Sequence, residues 1–191
     1  MEPNKTAINW QALISTAWEK RRPLWQDSRV DCFRVFHGYE EGSTGTVIEK
    51  FNDAAVIDYK TDIREDLAEL AQALLKVFPF KNIIAKGHQS LGLSLKARTH
   101  ILHGKDTFTT CNEYGLKFKV QLDAPHNPGL YLDARDARSW LSDNSSNRRI
   151  LNLFAFTGSL GLSSAYGKAT EVIHLDRSKE LLPRIQENYQ V

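Results

Sequence analysis

One segment constrains this chain more than any other: ILNLFAFTGSLGLSSAYGKATEVIHLD, Ile150 to Asp176. ILNLFAF reads as a strand with apolar side chains on both faces, TGSLG as a turn, SLGLSSAYG as a short helix of small residues, and TEVIHLD as a second apolar strand. A strand, helix and strand in that order make parallel neighbours joined by a crossover, and ligands of such units sit beyond the carboxyl ends of the strands, on the first turn. Three ligand classes compete for it. A Walker phosphate loop needs Gly, four residues, then Gly-Lys-Ser/Thr; here five residues separate Gly161 from Gly167, and Ala169 follows Lys168. A dinucleotide turn needs Gly-x-Gly-x-x-Gly, and only Gly158 and Gly161 are present. An adenosyl group without a phosphate needs one close-approach glycine and an acidic residue at the end of the second strand to accept from the ribose hydroxyls. Gly158 and Asp176 suit those roles. The structural alternative is that both glycines only let the helix pack closely on a strand and that Asp176 caps the helix after it.

The remainder of the chain is less specific. In INWQALISTAWEKRR, Trp10, Leu13, Ile14, Ala17 and Trp18 share one helical face that reads as a packing surface, with Asn9 as the cap and Pro23 as the stop. From Val30 the period shortens: VDCFRVFHGYEEGSTGTVIEKFNDAAVIDYK predicts an antiparallel meander broken at EEGSTG and FND. DIREDLAELAQALLKVF predicts a helix with Asp62 as its cap and Pro79 beyond its end. KNIIAKG, THILHG, TFTTCNEYG and LKFKVQLD follow as short strands. In PHNPGLYLDARDARSWLSDNSSNRR, Asp133 can cap a helix that ends near Leu141, and Ser142 to Asn147 read as a connector.

Composition narrows the classes without choosing one. With 25 Lys and Arg against 23 Asp and Glu, the formal charge of +2 neither demands nor excludes a polyanionic partner. No apolar run is long enough to span a membrane and the N-terminus lacks a basic-then-apolar signal pattern, so a cytoplasmic protein is expected. Cys32 and Cys111 lie far apart without metal-site spacing and read as small buried residues, so neither a metal site nor a disulfide framework is expected.

NEYGLKFKVQLDAPHNPGLYLDARDARSWL, followed by RRILNLFAFTGSLGLSSAYGKATEVIHLDRSKELL, resembles the class I S-adenosylmethionine-dependent methyltransferases typified by the bacterial large-subunit ribosomal RNA methyltransferases I and K. The upstream FRVFHGYEEGSTGTVIEKFNDAAVIDYK resembles the central domain of that family, and the likeness runs from about Val30 to Tyr189. It implies an α+β N-terminal and central region of antiparallel strands with helices, followed by the truncated start of an α/β Rossmann-like methyltransferase domain. The implied boundaries are a helical segment over residues 1–29, a central domain over 30–124, a connecting segment with a cofactor-pocket helix over 125–147, and the first strand-helix-strand-helix of the methyltransferase domain over 148–191. The implied cofactor is S-adenosylmethionine. Phe154 and the turn Thr157, Gly158 and Ser159 would face its methionine part, Asp176 its ribose, and Arg177 and Ser178 its adenine. Tyr131, Asp133 and Arg135 would line the pocket, where an arginine can grip the methionine carboxylate with a bidentate fork.

The sequence departs from the family pattern in three ways. The residues before Val30 read as a helix where the family has an RNA-binding PUA domain. Pro183 sits where the family has a good helix former, which predicts a short or kinked last helix. The Asp-Pro-Pro or Asn-Pro-Pro catalytic segment is absent, as is a Pro-Cys nucleophile, so catalytic residues are not assigned. The expectation is therefore an N-terminal portion of an RNA methyltransferase, inactive by itself. The alternative is a non-catalytic binding module that completes its sheet with another chain, either a homodimer partner or a complementing C-terminal chain.

Overall fold

The computed structural model describes residues 8–191, so the sequence reading of residues 1–7 lies outside the described residues. The chain divides into two compact units, residues 1–27 with 33–106, and residues 28–32 with 107–191. This division differs from the boundaries implied by resemblance: residues 107–124 group with the C-terminal part.

The first unit opens with helix α1 (Trp10–Lys20), where Asn9 Oδ1 accepts the Ala12 N–H at 3.0 Å, the cap expected from its side-chain chemistry. A short turn of helix, α2 (Arg22–Trp25), carries Pro23 at its start, where a missing N–H costs nothing. Strands β1 (Cys32–Phe36), β2 (Thr46–Phe51), β3 (Ala54–Tyr59), β4 (Asn82–Gly87) and β5 (Thr99–His103) form one sheet in sequence order. β2 and β3 are an antiparallel hairpin turning at Asn52, whose φ of 53° suits asparagine better than most side chains. This hairpin runs as the meander expected over residues 30–60 predicts; beyond it, the antiparallel strands expected for the whole central region are corrected. β3 and β4 run parallel, because the eleven-residue helix α3 (Leu67–Val77) lies between them and supplies the crossover that a parallel pair requires. β4 and β5 return to antiparallel pairing, so the sheet is mixed rather than antiparallel throughout.

Asp62 does not cap α3 directly. It accepts from Arg64 N–H at 3.1 Å at the entrance to a 3-10 turn, Arg64–Asp66, that precedes the helix. A short helix, α4 (Leu95–Arg98), leads into β5. The core of this unit gathers Trp10, Ile14 and Trp18 from α1, Leu70 and Leu74 from α3, and Phe36, Ile48, Ile57 and Ile83 from the sheet. The tryptophan face of α1 is thus a packing face, as its spacing suggests. Truncating a buried Trp10 to alanine would cost roughly 3–5 kcal/mol.

The second unit contains the hairpin β6 (Phe108–Glu113) and β7 (Leu116–Gln121), turning through Tyr114 and Gly115, both at positive φ. Helix α5 (Arg135–Asn144) follows a 3-10 turn over Leu132–Ala134 and runs three residues past the expected end at Leu141, so Ser142 to Asn144 are helical rather than connector. Next come β8 (Arg149–Leu153), α6 (Ser159–Tyr166) and β9 (Glu171–Leu175), with β8 and β9 parallel and paired from Arg149↔Glu171 to Leu153↔Leu175. The last helix, α7 (Leu182–Asn188), is short, as expected. A 3-10 turn, Lys179–Leu181, takes up the preceding residues and leaves Pro183 in the first turn of the helix, where no hydrogen bond is lost. Among the described residues, no helix is long and apolar enough to cross a membrane.

Candidate functional site

The site is built where β8 ends. After Leu153 the backbone passes through Phe154 at φ 54°, Phe156 at 51° and Gly158 at 80°, three left-handed residues within five positions. Two of them carry side chains, and such conformations cost of order 1–3 kcal/mol each unless their surroundings hold them, which is why they gather at binding sites. The surroundings hold these firmly. Ala155 N–H donates to Leu175 O at 3.1 Å across the ends of the two strands, Gly158 N–H donates to Ala155 O at 2.8 Å, and Thr157 donates its hydroxyl to Gly129 O. Asn188 of α7 donates its amide to Thr157 O at 2.9 Å and accepts Lys119 N–H of β7 at 2.8 Å.

Asp176 completes the turn. Its Oδ2 accepts Phe156 N–H at 2.9 Å and its Oδ1 accepts Ser178 N–H at 2.9 Å. These backbone donors, Ser178 first and then Phe156, with Arg177 contributing, hold the carboxyl below the usual aspartate value. The group is therefore an anion at neutral pH, half-exposed, and each oxygen retains a lone pair for a further donor. The carboxylate ties the start of the 178–188 segment to the turn without capping the helix, and it still faces solvent.

The two glycines divide the work. A Cβ on Gly161 would stand 2.2 Å from His174 Cε1 and 3.0 Å from Val172 Cγ1, so Gly161 lets α6 lie close on β9. Gly158 supplies the left-handed residue that opens α6, and a Cβ there would meet Ile185 and His174 at 3.1–3.2 Å. No side chain caps α6, so its first N–H groups, beginning at Ser159, face the turn with the positive end of the helix dipole.

The other residues singled out by resemblance separate into two groups. Phe154, Thr157, Gly158, Ser159, Asp176, Arg177 and Ser178 come together around the ends of β8 and β9. Phe154 is 90% exposed there, while Thr157 is fully buried and offers the site only its backbone. Tyr131 joins them through its ring, 5.4 Å from that of Phe156. Asp133 is exposed in the 3-10 turn before α5, with no side-chain cap bond. Arg135 points elsewhere. It donates to Glu113 Oε2 at 3.0 Å and to Cys32 O, so its guanidinium serves a buried ion network instead of the turn.

Glu113 and Arg138, which the sequence reading did not single out, form the centre of that network. Arg138, 1% exposed, donates from Nε to Glu113 Oε1 at 2.6 Å, from Nη2 to Oε2 at 2.9 Å and from Nη1 to Tyr131 O at 2.8 Å. The last bond fixes the backbone of Tyr131, which carries the ring beside Phe156. The three-residue spacing of Arg135 and Arg138 puts both on one helical side, a signal that names no partner in β6. His174 was also missed. It bridges Asn152 at 3.2 Å and the Tyr189 hydroxyl at 2.9 Å, and burial pulls its pKa below the ordinary value of 6.5.

Comparison with known proteins gives the family. Residues 63–191 match the family of S-adenosylmethionine-dependent methyltransferases. The ribosomal RNA large subunit methyltransferase I of Aeromonas salmonicida is 30% identical over 180 residues, and that of Aliivibrio fischeri strain ES114 is 30% identical over 183 residues. These alignments cover 92% and 93% of this chain but 46% of each relative, so the chain spans about half the length of the curated relatives it matches. The structure of SMU.776, described as a methyltransferase complexed with SAH, superimposes with a TM-score of 0.85 at 20% identity, over 98% of this chain and 50% of the other. A tRNA m1G37 methyltransferase from M. jannaschii shares the fold at a TM-score of 0.56 and 15% identity, over 95% and 48% of the two chains. With a family match over more than half its residues, the chain belongs to the S-adenosylmethionine-dependent methyltransferase family.

Proposed function

We propose that this chain is the cofactor-binding portion of a cytoplasmic methyltransferase that uses S-adenosylmethionine to methylate RNA. In this reading residues 148–191 are the opening of its Rossmann-like domain, and the names of its relatives point to large-subunit ribosomal RNA as the substrate. One observation carries the proposal: the strained turn Phe154–Gly158 is bonded to an ionised Asp176 across the carboxyl ends of two parallel strands. Bound S-adenosylmethionine supplies a methyl group on a sulfonium, ready for transfer to a nucleophile.

The residues present suit that group. Asp176 has the free lone pairs that two ribose hydroxyls need, and Arg177 and Ser178 lie beside it for the adenine edge. The uncapped N–H groups at Ser159 suit the methionine carboxylate, with the backbone of Phe154, Thr157 and Gly158 alongside and Tyr131 and Asp133 at the rim. Arg135 supports the site from beneath, by sharing Glu113 with Arg138.

The test is titration calorimetry with S-adenosylhomocysteine on the 191-residue chain and on Asp176→Ala and Asp176→Asn. Each hydrogen bond to a charged acceptor is worth about 1.5–3 kcal/mol. Weak binding is expected for the parent, with a loss of at least tenfold in both variants. Equal affinity in all three proteins, or no heat from the parent at millimolar ligand, would remove the cofactor assignment.

A second reading, a non-catalytic module that completes its sheet with another chain, draws on a separate observation. Leu151, Leu153, Ile173 and Leu175 alternate along β8 and β9 on the same side and are 46–59% exposed. Parallel sheets are normally covered on both faces, and four such side chains in a row form the kind of patch that binds protein. Light scattering on the purified chain separates the readings: a concentration-dependent dimer supports the module, and a stable monomer argues against it.

A further inference from the structure

The segment before β1 pairs with β6 in a register that brings the two cysteines together. Val30 and Glu113 form an antiparallel bridge, Tyr114 N–H donates to Arg29 O at 2.8 Å, and Asp31 N–H donates to Asn112 O at 3.1 Å. Extending that register by one step sets Cys32 opposite Cys111. The bonded positions are 29 with 114 and 31 with 112, so 30 with 113 and 32 with 111 are the non-hydrogen-bonded pairs. At such pairs the Cα atoms approach to ~4.5 Å, inside the ~4.4–6.8 Å that a disulfide spans.

The side chains agree with the register. The two sulfurs lie within 4.8 Å of each other, and both residues are fully buried. Their carbonyl contacts are long, 3.8 Å from Cys32 to Asn112 O and 3.6 Å from Cys111 to Phe118 O. Each thiol thus has the other as a near neighbour, in reduced form. We propose that Cys32 and Cys111 form a redox modification site, at which a peroxide joins the two thiols in an intramolecular cross-strand disulfide that staples Ser28–Cys32 to β6.

The chemistry balances with hydrogen peroxide as oxidant. One thiolate attacks a peroxide oxygen, the O–O bond breaks, and a sulfenic acid and water result. The second thiolate attacks the sulfenic sulfur and displaces hydroxide, which leaves as water. Two thiols and one peroxide give one disulfide and two waters; the two electrons lost by sulfur reduce the O–O bond. The Cys32 thiol beside it, together with burial, pushes Cys111 well above the ordinary thiol range, so the thiolate is scarce and the reaction is slow at neutral pH.

The experiment treats the intact chain with hydrogen peroxide at mildly alkaline pH, with a chelator present, until the intact mass is constant. The expected product is lighter by two hydrogens, resists alkylation after unfolding in denaturant, yields a linked peptide containing Cys32 and Cys111, reverts with dithiothreitol and unfolds at a higher temperature. Neutral pH should give the same product more slowly. Cys32→Ala and Cys111→Ala should each abolish the mass loss. Thiols still open to alkylation at the endpoint, oxygen added to either sulfur without a linked peptide, or disulfides only between chains would each overturn the proposal. The parent protein decides the question by itself, so the outcome does not depend on how well the variants fold.

Discussion

Replacing Glu113 with glutamine should damage the second unit severely. The carboxylate is 2% exposed and accepts three charge-assisted hydrogen bonds, two from Arg138 at 2.6 and 2.9 Å and one from Arg135 at 3.0 Å. Glutamine keeps the shape but removes the charge and turns one acceptor into a donor, which then faces a guanidinium N–H. At ~1.5–3 kcal/mol each, three such bonds sum to more than the loss expected, because the terms are not additive. The relevant quantity is the cost of leaving a buried charge without its partner, roughly 3–5 kcal/mol. Arg138 is that charge, since its side chain is 1% exposed and what remains to it is the neutral Tyr131 carbonyl and the Phe118 ring, 5.5 Å away. Whole domains are stable by ~5–15 kcal/mol, so Glu113→Gln should remove a large share of the stability of this unit. The assay is urea unfolding followed by circular dichroism and tryptophan fluorescence, with Trp140 reporting on α5. Two controls give the result its meaning. Arg135→Ala should cost only about 1–2 kcal/mol, because Arg138 still satisfies both Glu113 oxygens. The double variant Glu113→Leu/Arg138→Met should cost less than the sum of its single changes, because the Arg138 charge is removed together with its partner and the less buried Arg135 keeps the Cys32 carbonyl. A Glu113→Gln midpoint within 1 kcal/mol of the parent would refute the argument.

Other predictions follow from the same contacts. Gly161→Ala should destabilise by about 1–3 kcal/mol through overpacking against the His174 ring; shrinking that ring with His174→Ala in the same chain should recover part of the loss, read by thermal unfolding. His174 should make stability depend on pH. Burial lowers its pKa in the folded state, so the unfolded chain binds the proton more readily. The contribution is complete above 6.5 and is lost as pH falls from there toward the folded value. His174→Gln should flatten that part of the profile in urea midpoints taken across the window. Asp176 has the opposite chemistry and the same sign. Its pKa is depressed, so its contribution is present above the ordinary carboxyl value of 3.8 and fades as pH falls below it, a loss that Asp176→Asn should not show.

Much of this architecture is written locally in the chain. The spacing of Trp10, Ile14, Ala17 and Trp18 gives a helix and its buried face, because 3.6 residues per turn bring these positions onto one side whatever they pack against. Asn9 caps that helix, and Asn52 and Gly115 turn the hairpins, because each supplies its conformation or hydrogen bond within a few residues. The strained turn at Gly158 and its closure by Asp176 lie within one short stretch for the same reason: a strand, a tight turn and an acidic strand end follow one another.

What tertiary structure decided lies between distant residues. The direction of β4 against β3 depends on where α3 delivers the chain, and alternation within either strand is the same for both directions. Arg135 read as either a grip on a cofactor carboxylate or a solvated charge, and the position of Glu113 on β6 gives its guanidinium a protein partner instead. Cys32 and Cys111 carry no spacing signal, and only the register from Val30 and Glu113 sets them opposite each other. Sequence alone thus determined the elements and the turn after β8, since local sterics and periodicity act over a few residues. The partners of Asp176, Arg135 and the two cysteines came from the fold, because buried charges and paired side chains are chosen by three-dimensional proximity, which periodicity does not encode.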